Sequence, residues 1–392
     1  MVTKHILSLG LLIIAVQASA QNHDESKVKP YTLPEVLETS DGDKITSPKE
    51  WEGSRRPELL QLFEDHVYGQ MPSEYDSLGI SLTNEDQDAM GGKAVLKEIA
   101  LNIWKGKTSV KINLTLFLPK NVTKPVPLFL LINNRPEYNT DPTRFIKSEF
   151  WPAETVIDNQ YAIAAFQVSD AAPDHKENYP DGVLRLYPEQ LKADNGMKAI
   201  GAWAWAASRI MDYFEKENDI DENKVALVGH SRGGKASLWA GAQDQRFSII
   251  ISNNSGNTGA SLSKRNFGES VKMINTNFPH WFADNYNKYN DNEAALPIDQ
   301  HQLIALIAPR PVYITNATED LHADPKGSYL ALFHAQEVYG LYNIPTTLPK
   351  ELPAAQNPVD HPYLGYHLRK GIHNLALFDW EQFIRFADIH FK

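Results

Sequence analysis

The chain has 392 residues, of which 42% are hydrophobic and 22% charged, and its formal net charge is -11. This composition is typical of a globular protein, and the negative charge excludes the basic surface that a nucleic-acid partner requires. The absence of cysteine excludes disulfides, thiolate nucleophiles and cysteine-zinc sites. Stability must therefore come from a large core, which a chain of this length can build.

Residues 1–20 predict a signal peptide. A lysine and a histidine precede an apolar run at 6–16, and an A-x-A pattern ends at Ala20. The run is too short to span a bilayer, and a cleavage pattern follows it, which disfavours a buried N-terminal helix. We expect a mature chain that begins near Gln21, is secreted or periplasmic, and has no membrane anchor.

The next residues, 21–60, are polar and contain prolines, and they predict an extended lead-in on the surface. Apolar runs that are rich in β-branched residues and partly alternating then predict strands at 94–104, 109–119, 126–134 and 161–170. A helix follows at 197–216, with small residues that allow close packing on a sheet.

From residue 224 the predicted strands and helices alternate. Strands are expected at 224–228, 247–252, 311–316 and 363–368, and helices at 233–242, 327–338 and 377–391. This order predicts an α/β fold, a three-layer sandwich with a mostly parallel sheet, as one domain over 21–392. The segment 256–303 is long for a connection, so we expect a lid or a substrate wall.

The stretch "LVGHSRGGKA" at 227–236 fits two motifs. Residues 229–233 read G-x-S-x-G, a turn that presents a nucleophilic serine, here Ser231. Residues 229–235 also read G-x-x-x-x-G-K, but a phosphate-binding loop needs Ser or Thr next, and Ala236 stands there. The serine interpretation is therefore favoured.

Two cations lie near this serine. The backbone N–H of Arg232 is in the position of an oxyanion donor, and its guanidinium can add a charged one. Arg232 can equally be a surface charge. Lys235 lies one helical turn after Ser231, where it can hold a substrate oxygen or be solvated.

In the α/β-hydrolase fold an acid and then a histidine follow the serine along the chain. The predicted strand at 311–316 is followed by Glu319, Asp320 and Asp324. We choose Asp320 as the acid and expect the other two to be solvated or to cap the next helix. His373 lies between the last strand and the last helix and is our choice of base.

Two further histidines, His361 and His367, precede His373 at intervals of six residues, which places the three on no common helical face. His367 lies within a strand pattern and is expected to be structural. We predict no metal site and no cofactor.

Four stretches together resemble the glucuronoyl esterases, carbohydrate esterase family fifteen. They are "GHSRGGKASLWAGAQDQRF" at 229–247, "SNNSGNTGASLSKRNFGES" at 252–270, "ATEDLHADPKGSYLA" at 317–331 and "GIHNLALFDWEQFIRFAD" at 371–388. The resemblance extends from about residue 30 to the C-terminus. It implies an α/β-hydrolase that, without a metal, cleaves esters between 4-O-methyl-glucuronate on xylan and lignin alcohols.

The resemblance also implies roles. By motif, Ser231 matches the nucleophile, Arg232 the oxyanion-stabilising arginine and His373 the base. Lys235 and Glu269 match residues that bind the sugar.

Two positions depart from the pattern of the family. Many members have the acid glutamate where this chain has Asn254, so the acid must come from Asp320. Members often have a tryptophan that packs on the sugar where this chain has His322.

We therefore expect a serine esterase that acts as a monomer on plant cell-wall glucuronoxylan–lignin esters. One alternative is an esterase of the same fold that acts on acetyl or methyl esters of carbohydrates. Another is a catalytically inactive carbohydrate-binding relative, which Asn254 and His322 favour and a complete Ser231–Asp320–His373 set disfavours.

Overall fold

The computed structural model describes residues 21–392, so the predicted signal peptide lies outside the described residues. The strands are β1 (Ser77–Asp88), β2 (Ala94–Lys105), β3 (Thr108–Pro119), β4 (Val126–Asn133), β5 (Ala162–Gln167), β6 (Ile220–His230), β7 (Ile249–Asn253), β8 (Val312–Ala317) and β9 (Leu364–Arg369). The helices are α1 (Pro48–Glu50), α2 (Arg56–Phe63), α3 (Ala89–Gly92), α4 (Ala153–Asp158), α5 (Val168–Ala171), α6 (Ala199–Phe214), α7 (Arg232–Gln243), α8 (Val271–Asn277), α9 (Gln300–Ala305), α10 (Pro325–Leu341) and α11 (Leu377–Phe391).

The strands form one sheet in the order β1-β2-β3-β5-β4-β6-β7-β8-β9. The pairs β1/β2, β2/β3 and β3/β5 are antiparallel. Every pair from β5/β4 to β8/β9 is parallel. The prediction of a mostly parallel sheet is confirmed, and the carboxyl ends of β6, β7, β8 and β9 meet at one edge.

Each face of the sheet carries its own core. Alternate residues of β4 point to opposite faces, so Leu130 packs in the core that contains Trp203 of α6 and Trp239 of α7. Leu131 packs in the second core, with Trp151 and with Trp380 of α11. Helices therefore cover both faces, and the three-layer prediction is confirmed.

One expectation about the N-terminal part of the structure was wrong, and one strand there was missed. The extended lead-in stops before residue 48, because the chain from Pro48 to Tyr68 is helical and completely buries Trp51 and Phe63. Strand β1 was not predicted. Leu78, Ile80 and Leu82 alternate along its first half, but the second half, 83–88, is polar and interrupts the pattern, and almost all residues of the strand are exposed.

The segment 256–303 is mostly buried and contains α8, α9 and several short 3₁₀ turns. It lies against the lead-in, where the Gly268 N–H donates to the Asn22 carbonyl oxygen at 2.8 Å. Within residues 21–392, no helix is both long and apolar enough to cross a membrane.

Candidate active site

Ser231 occupies a strained turn between β6 and α7. Its φ of 56° and ψ of −127° lie in a backbone region that residues with a side chain rarely adopt. A Cβ on Gly229 would stand 2.0 Å from the carbonyl oxygen of Gly233, so the turn requires glycine at 229. The Ser231 N–H donates to the Asn253 carbonyl oxygen at 2.8 Å. The turn is thereby fixed at the carboxyl edge of the sheet.

Asp320 and His373 meet at the same edge. Asp320 follows β8, is 5% exposed, and its Oδ2 lies 2.6 Å from His373 Nδ1. Since the carboxylate accepts the Nδ1 proton, the Nε2 of a neutral His373 carries the free lone pair. The side chain of His373 is 35% exposed, so this basic nitrogen belongs to an accessible ring.

The two other candidate acids lie elsewhere. Glu319 is exposed. Asp324 caps α10, where its Oδ1 accepts the Gly327 N–H at 2.9 Å, and its Oδ2 lies 3.0 Å from Arg265 Nε. Of the three carboxylates after β8, Asp320 is the one that contacts His373.

His230, which the sequence analysis did not consider, connects the serine turn to the base. It is fully buried, and its ring centroid lies 4.6 Å from that of His373. Its Nε2 is 2.9 Å from Arg135 Nη2 and its Nδ1 is 2.5 Å from Asn253 Oδ1. Because a guanidinium only donates, Nε2 accepts and the proton is on Nδ1. Burial and the neighbouring His373 hold the pKa of His230 well below its usual range, so this ring is neutral.

Asn254 follows β7 with a φ of 47°. Its Nδ2 donates to the Asn374 carbonyl oxygen at 3.0 Å, next to His373. Its Oδ1 is buried without a hydrogen-bond partner among the described residues. Asn254 therefore holds the turn that carries the base.

Arg232 is the first residue of α7, where backbone N–H groups lack helical partners. Its Nε lies 2.6 Å from Asp174 Oδ2, and its Nη2 donates to the Asn134 carbonyl oxygen at 3.3 Å. The guanidinium also stands over the ring of Trp281, 5.9 Å from the centroid. The side chain is 30% exposed and ion-paired, so it is more than a surface charge.

Lys235, Glu269 and His322 form a second cluster. Lys235 Nζ lies 2.8 Å from Glu269 Oε2 and also donates to the Asn257 carbonyl oxygen. His322 Nε2 lies 3.5 Å from Glu269 Oε1. Lys235 is 2% exposed, so a solvated lysine is excluded, whereas the side chain of His322 is 45% exposed.

Lys235, Glu269 and His322 stabilise one another in their charged forms. Burial alone would raise the pKa of Glu269, but the charge of Lys235 and the hydrogen bond with His322 lower it overall. The hydrogen bond to Glu269 raises the pKa of His322. Gln21 of the lead-in completes the cluster, because its Nε2 lies 3.0 Å from His322 Nδ1.

The two other histidines considered from the sequence, His361 and His367, have structural partners. His361 Nε2 donates to the Pro345 carbonyl oxygen at 2.8 Å, and His367 is buried with its Nε2 2.7 Å from Asp379. In the part of the chain from 21 to 392, no three His, Asp or Glu side chains are grouped to hold a metal ion.

Residues missed by the sequence analysis include His230, Asp174 and Trp281. His230 lies at a position of the G-x-S-x-G motif that any residue can occupy. The motif therefore gives no reason to single out this histidine, although a histidine directly before the nucleophile could have been noted. Asp174 and Trp281 are brought to Arg232 from separate segments of the chain, and no local spacing reveals that contact.

Comparison with known proteins gives a consistent result. A family model described as "Glucuronyl esterase, fungi" matches residues 101–342. The carbohydrate esterase MZ0003, from an unknown prokaryotic organism, is 39% identical over 96% of this chain and 94% of its own length. The 4-O-methyl-glucuronoyl methylesterase of Schizophyllum commune is 27% identical over 86% of this chain and 82% of its own.

Solved structures agree. A promiscuous CE15 esterase from a marine bacterial metagenome superposes with a TM-score of 0.86 and 39% identity, covering 95% of this chain and all of the other. A glucuronoyl esterase from Solibacter usitatus gives a TM-score of 0.86 and 36% identity, covering 94% of this chain and all of the other. These neighbours confirm the α/β-hydrolase fold. The chain belongs to the glucuronoyl esterases of carbohydrate esterase family 15 and is a carboxylic ester hydrolase.

Proposed function

We propose that this glucuronoyl esterase is a serine esterase that hydrolyses the ester between 4-O-methyl-glucuronate of glucuronoxylan and an alcohol of lignin. The observation that carries the mechanism is the 2.6 Å contact between Asp320 and His373 beside the strained turn of Ser231. A nucleophile, an oriented base and a buried acid are the groups that acyl transfer requires.

The reaction begins when His373 Nε2 takes the proton of the Ser231 hydroxyl and Oγ bonds to the ester carbonyl carbon. The carbonyl oxygen becomes an oxyanion, which the Arg232 backbone N–H and guanidinium stabilise. The intermediate collapses, the alkoxide leaves with the proton from His373, and an acyl-enzyme remains. Water, deprotonated by His373, then releases the uronate and restores the serine.

On the sugar side, Lys235, Glu269 and His322 bind the glucuronate. Lys235 Nζ has three donors, of which Glu269 and Asn257 use two, so one remains for a sugar hydroxyl. His322 takes the place of the tryptophan of other members and offers a smaller aromatic face, since Gln21 and Glu269 engage its two ring nitrogens.

The second candidate is an esterase of the same fold with acetyl or methyl esters of carbohydrates as substrates. Two observations favour it, namely the 39% identity with a structure described as promiscuous and the exposed His322. We place it second because the Lys235–Glu269 pair is a built polar cluster that small esters do not need.

The inactive binding relative is disfavoured by membership in a family of ester hydrolases. We further propose that the enzyme is a monomer with a single catalytic domain over 21–392, and that it is exported, since its substrate is a cell-wall polymer.

The deciding experiment compares purified enzyme on benzyl glucuronate and on 4-nitrophenyl acetate, with fluorophosphonate labelling of the serine. The proposal expects labelling that depends on Ser231 and a higher kcat/KM on the glucuronate ester. Labelling with a preference for the acetate would favour the second candidate, and absence of labelling would contradict the serine mechanism.

A further inference from the structure

We propose that Asp174 is a positioning residue for the oxyanion arginine: it holds the Arg232 guanidinium so that its remaining N–H groups face the reacting ester. This inference rests on the proposed role of Arg232 and adds a residue that no motif of the sequence identifies.

The first step is the geometry of the guanidinium. Its Nε lies 2.6 Å from Asp174 Oδ2 and its Nη2 donates to the Asn134 carbonyl oxygen at 3.3 Å. In a planar guanidinium, Nε and Nη2 form one edge, so the protein engages that edge. The Nε–H is not aligned for a hydrogen bond to Asp174, so this contact is an ion pair. Within residues 21–392, Nη1 has no protein hydrogen-bond partner. Two donors of Nη1 and one of Nη2 are thus left for a ligand oxygen.

The second step is the rigidity of Asp174. Its Oδ1 lies 2.7 Å from Trp281 Nε1 and 2.9 Å from His280 Nε2. Trp281 is 3% exposed and stacks on Phe278 with ring centroids 3.8 Å apart. The carboxylate is therefore fixed on one side by buried rings and meets Arg232 with its other oxygen.

The third step is the anchoring of the segment that carries Asp174. It follows α5 at the carboxyl end of β5, and the Trp203 Nε1–H donates to the Ala172 carbonyl oxygen at 2.8 Å. The segment 256–303 is tied to the same helix, because the Ala199 N–H donates to the His280 carbonyl oxygen at 3.0 Å. Both supports of Asp174 thus depend on α6, a helix of the core.

Asp174 also keeps its negative charge. Burial would raise the pKa of Asp174, but the hydrogen bond from His280 and the charge of Arg232 hold it below its usual range. The carboxylate is therefore ionised throughout the pH range in which an esterase with a histidine base works.

The consequence concerns the transition state. A flexible arginine must be oriented when the oxyanion forms, and an arginine already held in place contributes without that reorganisation. Since the oxyanion exists only in the transition state and the intermediate, loss of this orientation should lower kcat more than it raises KM.

The test is a double-mutant cycle of Asp174→Asn and Arg232→Ala, measured as kcat and KM on benzyl glucuronate. We expect Arg232→Ala to lower kcat about 10²-fold, the size seen for loss of one oxyanion donor. Asp174→Asn alone should lower kcat roughly tenfold, and in the Arg232→Ala background less than twofold, because coupled residues are not additive. The control is Asp170→Asn, which removes a carboxylate that accepts from Asn113 away from the site.

Two outcomes are distinguishable. If Arg232→Ala is fully active, the proposed oxyanion role of Arg232 fails, and this inference fails with it. If Arg232→Ala is impaired but Asp174→Asn matches Asp170→Asn, or lowers kcat equally in both backgrounds, only the positioning role is overturned.

A second variant, Asp174→Glu, separates loss of orientation from loss of folding. Thermal unfolding measures whether each variant is folded. Asp174→Glu keeps the charge beside His280 and Trp281 but displaces the carboxylate by one methylene. The positioning role expects a drop in kcat in the wild-type background and none in the Arg232→Ala background. A drop in both would overturn it.

Discussion

The two halves of the sheet differ in burial and in chemistry. In the parallel half, β6 to β9 are buried for most of their length, and each is followed by a polar residue of the site: Ser231, Asn254, Asp320 and His373. In the antiparallel half, β1 is exposed along nearly its whole length, and its ends carry no site residue. Parallel strands bring all their carboxyl ends to one edge, whereas antiparallel strands send successive ends to opposite edges. The parallel half therefore assembles the site.

The largest effect is expected from matched serines in the two halves. Ser231→Ala should lower kcat by about 10⁴-fold or more, since covalent catalysis requires its nucleophile. Ser81→Ala in β1, where the hydroxyl donates to the Ala100 carbonyl oxygen at 3.4 Å, should leave kcat unchanged. Calorimetry with a non-hydrolysed glucuronate should show that Ser231→Ala still binds. Substantial residual turnover in this variant would contradict the elbow assignment.

The second prediction concerns the acid at the end of β8. Asp320→Asn should lower kcat by about 10³- to 10⁴-fold, because the amide neither fixes the His373 tautomer nor stabilises its imidazolium. Glu319→Gln, one residue away and exposed, is the control and should be near wild type. Steady-state kinetics on benzyl glucuronate provides the measurement.

The end of β7 offers a further check on the same acid. Asn254→Ala should be mild, and Asn254→Glu should restore part of the activity of Asp320→Asn, since a carboxylate there would stand beside the turn that carries His373. An active Asp320→Asn protein together with an inactive Glu319→Gln protein would contradict this assignment and give the acid role to Glu319.

The third prediction separates the ester side of the site from the sugar side. Lys235→Met combined with Glu269→Gln should lower kcat/KM on benzyl glucuronate roughly 10- to 100-fold and on 4-nitrophenyl acetate less than threefold, because binding energy from the sugar is absent with acetate. The double variant is preferred because removing one partner of a buried pair leaves an unpaired charge. Equal losses on both substrates would make the pair structural.

The smallest effect is a pH dependence of stability at His322. Its pKa is raised in the folded protein by Glu269, so its contribution to stability is full below the unfolded value of about 6.5 and disappears as pH rises through the folded pKa. The pKa of Glu269 is lowered, so its contribution is lost only as pH falls through the folded value.

Thermal unfolding measured between pH 5 and 9 tests this dependence. His322→Gln should lose the part of the pH dependence that lies above the unfolded pKa of about 6.5. The effect is small because the side chain is 45% exposed and solvent screens the pair. If the stability of the variant depends on pH in the same way as that of the wild type, His322 does not form this ion pair with Glu269.

The contrast between the halves also explains what the sequence could predict. Apolar runs identify β4 and β6 to β8, and a short, mixed pattern at 363–368 identifies β9. Chain order then places an acid after β8 and a histidine after β9, which predicted the Asp320–His373 contact. Strand β1 has only a short apolar alternation, at Leu78, Ile80 and Leu82, followed by a polar half, and it pairs with β2 alone, so its local pattern is weak. The same limit applies to Asp174 and Trp281, because their meeting with Arg232 depends on how three segments pack and not on spacing in one of them.

The neighbouring imidazoles of His230 and His373 differ in whether a ring nitrogen is free to exchange a proton. His230 has its lone pair engaged by Arg135 and its proton engaged by Asn253, so neither nitrogen is available for proton exchange. Although the rings are in contact, no Grotthuss-type hopping can pass between them, and the serine proton has a single destination. In a ¹⁵N-imidazole NMR spectrum of the free enzyme, the His230 resonances should therefore stay those of the neutral Nδ1–H form as the pH is changed.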